Sequence, residues 1–234
     1  GGKVAIRWPH KPETACAIQA PASLYQPAFE RAFSLSDVMN KDLVITKGKT
    51  FTRVVRWEGP PFVYKAISAI PNTAPATVTA NAHGIPDGWR VAIVSVQGMN
   101  EINALNDPPS DSDYHQATVE SVNAVSFNDI NPAEFGVYSS GGYLKYPTPV
   151  SLAGFTARMT IRSDYGGDSL LELTSSSGIT LDDTAKTITV TITAAQTAAF
   201  AFTGAVYDLE LVSGSGVVTE LLRGAITVLD EATT

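Results

Sequence analysis

Residues 187–193, Thr-Ile-Thr-Val-Thr-Ile-Thr, alternate polar and apolar without a break. A period of two puts Ile188, Val190 and Ile192 on one face and the threonines on the other, the pattern of a half-buried antiparallel strand. Other short runs rich in β-branched and aromatic residues predict strands at 43–46, 50–57, 155–162, 170–173, 205–212, 217–222 and 225–229, with a shorter one at 150–152. Turn residues separate them: Lys47-Gly48-Lys49, Gly59-Pro60-Pro61, Ala153-Gly154, Tyr165-Gly166-Gly167-Asp168, Asp182-Asp183, Gly214-Ser215-Gly216 and Arg223-Gly224. Residues 193–200 lose the alternation and predict a short helical crossover capped by Thr193. Seven or so short strands at this spacing predict an antiparallel β-sandwich.

Two stretches differ in texture. Residues 66–146 interrupt the sandwich with strands expected at 77–80, 89–96, 114–122 and 125–127, which suit a small β-barrel or meander inserted into a loop of the host. Residues 1–42 read as an extended N-terminal arm, broken by Pro9, Pro12, Pro21 and Pro27. Within it Phe29, Phe33, Leu35, Val38 and Met39 fit one or two helical turns without a convincing cap. Trp8, Tyr25, Phe29 and Phe33 make the arm too apolar for a tail in water. It either packs on its own domain or docks on a neighbouring subunit. The expected layout is therefore an arm at 1–42, a sandwich built from 43–65 and 147–234, and an inserted β module at 66–146.

Composition narrows the function classes. Of the 234 residues 17% are charged and 44% hydrophobic, and Thr, Ser, Ala, Gly and Asn replace the missing charges. That is the composition of strand-rich virion and cell-surface proteins. A net charge of −7 without a long basic tract disfavours nucleic acid as a partner. No apolar run approaches the roughly 20 residues of a membrane span, so no membrane insertion is expected. The opening Gly1-Gly2-Lys3-Val4 has neither the apolar core of a signal peptide nor the downstream hydroxyl of a myristoylation site. The single Cys16 excludes a disulfide within the chain and reads as an inert thiol.

Two sequence blocks carry a resemblance. Thr79-Ala80-Asn81-Ala82-His83-Gly84-Ile85-Pro86-Asp87-Gly88-Trp89-Arg90-Val91, followed by Val96-Gln97-Gly98-Met99-Asn100-Glu101-Ile102-Asn103, resembles a small β module. The module is named for the first catalytic-cysteine half-domain of ubiquitin-activating enzymes and recurs in tailed-phage virion proteins. Phe127 and Tyr138-Ser139-Ser140-Gly141-Gly142-Tyr143 look like the phage version of its last strand. Residues 150–162, 178–182, 187–190, 205–211 and 221–228 look like the two halves of an immunoglobulin-like phage tail domain. The resemblance covers about residues 43–232. It implies an all-β, immunoglobulin-like sandwich with an inserted module, in a non-enzymatic structural protein of a virion. The tail tip, baseplate or fibre-attachment region is the expected place, with capsid decoration, a head fibre and a host-surface adhesin as alternatives. Partners would be other virion proteins and copies of the chain in a symmetric ring, with a host glycan or receptor under the adhesin reading. The enzymatic name does not transfer, because residues 66–146 hold no cysteine to form a thioester.

No catalytic, cofactor-binding or metal site is expected. No phosphate-binding glycine loop follows a strand, and His10, His83 and His115 each stand apart from other ligands. His83 reads as a turn element. His115, near Asp111 and Asp113, lacks regular metal-ligand spacing. Asp182 and Asp183 read as turn formers, and Trp57 and Trp89 as core. Tyr138, Tyr143 and Tyr146 lie in a Tyr-Ser-Gly segment, a composition typical of adaptable binding surfaces. Those three tyrosines are the expected binding surface, and the same residues would serve equally well to pack the module on the sandwich.

Overall fold

Among residues 39–231, which the computed structural model describes, the chain forms fifteen strands, one short α-helix and two single-turn 3-10 helices. All of these residues lie in one compact unit. The expected arm contacts Trp8, Tyr25, Phe29 and Phe33, and Cys16, lie outside the described residues. Along the chain the strands are β1 (Met39–Asn40), β2 (Leu43–Thr46), β3 (Phe51–Val55), β4 (Glu58–Ala66), β5 (Ala76–Thr79), β6 (Arg90–Gln97), β7 (His115–Ser121) and β8 (Ala124–Phe127). After them come β9 (Ser140–Pro149), β10 (Thr156–Arg162), β11 (Ser169–Thr174), β12 (Ile179–Asp182) and β13 (Thr187–Ile192). Helix α1 (Ala194–Ala198) precedes β14 (Gly204–Val212) and β15 (Val218–Leu229).

Two sheets make the sandwich. One runs β11-β10-β14-β15, with β1 and β2 both on the far edge of β15; the other is β12-β13-β3. Alternation decides which side chains meet between them. Ile188, Val190 and Ile192 of β13 are buried, as are Ala157, Met159 and Ile161 of β10 and Tyr207, Leu209 and Leu211 of β14. Each such large side chain contributes about 1.5–3 kcal/mol on leaving water. Thr193 caps α1: its hydroxyl accepts from the Gln196 backbone N–H while the Gln196 side chain reaches back to the Thr193 N–H. The Thr197 hydroxyl, fully buried, ties this helix to the Lys49 carbonyl at 2.9 Å.

The sandwich differs from expectation in four places. Residues 39–40 form a strand rather than a helical turn, and β1 and β2 run parallel to β15, making that sheet mixed. No strand forms at 150–152. Residues 217–222 and 225–229 are not two strands, because β15 runs straight through Gly224. A Cβ at Gly224 would come within 2.5 Å of the Lys41 carbonyl oxygen. That glycine therefore marks a close backbone approach and not a turn.

The inserted module is a single six-stranded antiparallel sheet in the order β4-β9-β6-β7-β8-β5. It rolls around its own core, centred on Trp89, Phe127, Ile93, Met99, Leu144 and Tyr146. The roll does not close into a barrel. Beyond β4 only one bridge, Ala69 to Thr79, reaches the opposite edge strand. Pro60 and Pro61, which look like a terminator, lie inside β4. The register jumps from Gly59 to Phe62, so the two residues without a backbone N–H are skipped by the ladder. Because of β4 and β9 the module's sheet starts at Glu58 and ends at Pro149, wider than residues 66–146.

A short joint connects the two bodies. The Val150 N–H donates to the Trp57 carbonyl at 3.1 Å, so the strands entering and leaving the module are hydrogen-bonded neighbours. Alternation then sends adjacent side chains opposite ways. Trp57 packs edge-on against Phe155 of the sandwich at 5.6 Å. Arg56 turns to the module, donating to the Asp87 carbonyl at 2.9 Å with its guanidinium 5.5 Å from the Trp89 ring. Next along, Arg90 grips Glu58 with Nε at 2.8 and 2.7 Å from the two carboxylate oxygens. The same guanidinium lies 4.6 Å from the Tyr114 ring. Burial works against the Arg90 charge, but the Glu58 contacts outweigh it and raise the pKa.

Candidate functional site

The face of β4 and β9 turned away from the module core carries the most exposed aromatic pair in the described β ladders. Tyr64 stands opposite Lys145, and Ala66 opposite Tyr143, so Tyr64 and Tyr143 are diagonal neighbours on one face. Their rings meet edge to face at 6.2 Å, and they are 43% and 44% exposed. Lys145 lies beside them at 4% exposure. Its ammonium is 5.0 Å from the Phe62 ring and 5.3 Å from the Tyr64 ring, a cation–π arrangement strengthened by exclusion of water. The result is an aromatic patch of two half-exposed phenol rings set nearly at right angles, each with an apolar body and a polar tip. Neither Phe62, Tyr64 nor Lys145 was anticipated. The signal was present as a period-two pairing of Phe62-x-Tyr64 with Tyr143-x-Lys145, hidden because Pro60-Pro61 was read as the end of a strand.

The three expected tyrosines do not share a surface. Tyr143 alone is half exposed. Tyr138 is partly buried, and its hydroxyl donates to the carbonyls of Ile67 at 3.1 Å and Gly141 at 3.0 Å. Tyr146, at 2% exposure, belongs to the core, where its hydroxyl donates to the His83 carbonyl. Burial pushes the Tyr146 pKa up to about 12. As a surface residue Tyr146 is thus corrected: on β9 it alternates with Lys145 and points inward with Leu144. The glycines of this segment are also constrained. Gly141 and Gly142 have φ of +72° and +89°, conformations that L side chains rarely adopt. A Cβ on Gly142 would stand 2.5 Å from Val96 Cγ2 and 3.2 Å from its Cα.

His83 is buried and fully engaged. Its Nδ1 accepts from the Ile85 backbone N–H at 3.0 Å, which requires the proton on Nε2, donated to the Ser121 carbonyl at 2.8 Å. With both ring nitrogens committed to backbone, the imidazole fastens the turn. His115 pairs with Asp129 at 2.7 Å rather than with Asp111 or Asp113. Asp111 reaches toward Arg90, at 3.5 Å. Asp113 is buried and braces the 105–113 loop. The Asn106 amide first, then the Ser110 and Leu105 donors, hold its carboxyl well below the usual range against an opposing push from burial.

Asp182 accepts from the backbone N–H groups of Thr184 and Ala185 at 2.8 and 2.9 Å, closing the β12–β13 turn. Asp183 faces Lys186 at 2.7 Å and also accepts from the Leu152 N–H and the Ser151 hydroxyl. Those contacts, Lys186 foremost, hold its pKa at about 2. Trp89 is fully buried, donating its indole N–H to the Pro147 carbonyl at 2.9 Å.

Among the described residues, no three or more His, Cys, Asp or Glu side chains converge in a way that could hold a metal ion. No helix among them is long and apolar enough to cross a membrane. Compared with known families and curated proteins, the chain matches no family model and no curated sequence.

Proposed function

We propose that this chain is a non-enzymatic structural protein of a tailed-phage virion, placed in the tail tip, baseplate or fibre-attachment region. It acts by assembly with copies of itself and with other virion proteins. The observation that carries the proposal is a second β body with its own core, spliced into an all-β sandwich through one hydrogen-bonded joint. This layout agrees with what the resemblance of residues 79–103 and 150–232 implies. In the proposed mechanism the sandwich is the rigid mount and the clamped module projects from it. The segment bearing Trp8, Tyr25, Phe29 and Phe33 docks on a neighbour, and closed cyclic contacts repeat the arrangement around a ring. Immunogold electron microscopy of intact virions, with antibody to the recombinant chain, tests the placement. Label at the distal tail is expected. Label spread over the head would overturn it in favour of capsid decoration.

The half-exposed Tyr64–Tyr143 pair favours a second reading, adhesion to a host-surface glycan. Under it, Tyr143→Ala lowers binding of the isolated protein to host cells while its thermal midpoint stays put. Equal binding by the variant and the parent would dispose of this reading.

A further inference from the structure

By alternation Phe51, Arg53 and Val55 share the face of β3 that meets the other sheet, and Phe51 and Val55 pack on its core. Arg53 between them stays exposed, and among the described residues it has no ion-pair partner. A cleft opens to solvent here between the sheets. Phe51 and Val55 wall it on one side and Leu43, Leu209 and Leu222 on the other, with Arg53 at the mouth. Its free space of about 230 Å³ is small for a drug-sized ligand and suits a single side chain. An inward-pointing charge on an edge strand also discourages the addition of another strand.

The module displays a knob of matching character. Leu105 is 92% exposed, the most exposed large apolar side chain among the described residues. Its loop is braced from within. The Leu105 N–H donates to Asp113 Oδ1 at 3.0 Å, while Oδ2 accepts from the Asn106 amide at 2.8 Å and the Ser110 N–H at 2.7 Å. Pro108 and Pro109 stiffen the tip. The loop is thus shaped before any contact, so burying Leu105 costs little ordering. Asp107 and Asp111, two and six residues on, are both exposed, so the knob is acidic where the mouth of the cleft is basic.

We propose that Leu105 of one copy inserts into the β3–β15 cleft of the next, with Asp107 facing Arg53. Knob and cleft lie on different bodies, so the contact is head-to-tail and leaves each copy one free partner surface, building a ring or a filament. The inference rests on the self-assembly part of the function proposed above, and not on any place in a virion.

Sedimentation velocity on the full chain, over a concentration series, tests it. The parent should associate as concentration rises, while Leu105→Asp and Arg53→Asp should each stay monomeric with unchanged circular dichroism. Mixed one to one, the two variants should form a dimer that grows no further, because only one intact knob and one intact cleft can meet. A misfolded variant could not give that rescue. Leu105→Ala should weaken association by roughly ten- to a hundredfold, through the apolar surface it no longer buries. A parent that is monomeric throughout would overturn the proposal. Association that neither variant changes would overturn it too, while leaving self-assembly to another surface; the gold label decides the virion placement separately.

Discussion

Gly142→Ala should unfold the module far more readily than its size suggests. Two costs add at this position. With φ at +89°, any L side chain is strained, at about 1–2 kcal/mol. The new methyl also meets Val96 Cγ2 at 2.5 Å, Val96 Cα at 3.2 Å and Ile67 Cδ1 at 3.3 Å. The Cα is backbone in β6 and cannot swing away, so overpacking adds about 1–3 kcal/mol. The sum is about 2–5 kcal/mol, a large share of the stability of an ordinary domain. Gly84→Ala is the control, in the same module. Its φ is +68°, and the nearest atom to a new Cβ is the Tyr146 hydroxyl at an ordinary 3.8 Å. Only the backbone cost applies there. Urea unfolding of both variants, followed by circular dichroism and tryptophan fluorescence, yields the difference. Gly142→Ala should fall below Gly84→Ala by about 1–3 kcal/mol. Equal losses would refute the claim that Val96 and Ile67 close against this backbone.

Four further outcomes are expected. Tyr146→Phe leaves the buried His83 carbonyl without its donor and should cost about 1–3 kcal/mol in a chemical melt. Tyr146 and Tyr207 both have pKa values pushed up to about 12, chiefly by burial, so the fold holds their protons more tightly than the unfolded chain. Their contribution is therefore complete below pH ~10 and lost as pH rises toward 12, and Tyr207→Phe should flatten part of that decline in an alkaline titration. Asp183 works in the opposite sense. With its pKa lowered to about 2, its contribution is complete above pH ~4 and lost as pH falls from there toward 2, and Asp183→Asn should remove that part of the acid dependence. Finally, replacing residues 58–149 by a two-residue turn should leave the sandwich folded, since the two cores share no residue. Loss of cooperative unfolding in that deletion would show that the sandwich depends on the module.

Much of the architecture was legible because one period dominates. Strand β13, with Thr outward and Ile or Val inward, was visible residue by residue, and so was the Thr193 cap of α1. What escaped was set by contacts distant in sequence. Gly224 looks like a turn until the Lys41 carbonyl is seen pressing on it. Pro60 and Pro61 look like a stop until the register jump shows a ladder that steps over them. The aromatic site was half legible for the same reason. Tyr143 was singled out by composition, but its partner Tyr64 sits on a strand that the proline pair concealed. Tyr146 escaped because the Tyr-Ser-Gly composition of the segment, and not the alternation within 143–146, set its reading as a surface residue. His115 pairs with Asp129, fourteen residues away, and not with the nearer Asp111 or Asp113 that its local sequence suggests.

The parallel pairing of β1 and β2 with β15 has a mechanical consequence. Strands entering at Met39 and leaving at Leu229 run side by side in the same direction. Tension applied at those two points slides them along each other, loading their hydrogen bonds together rather than one after another. The module takes no part in this, because its entry and exit are bonded to each other at Trp57 and Val150. Pulled lengthwise, the sandwich bears the load and the Tyr64–Tyr143 patch rides beside it undistorted.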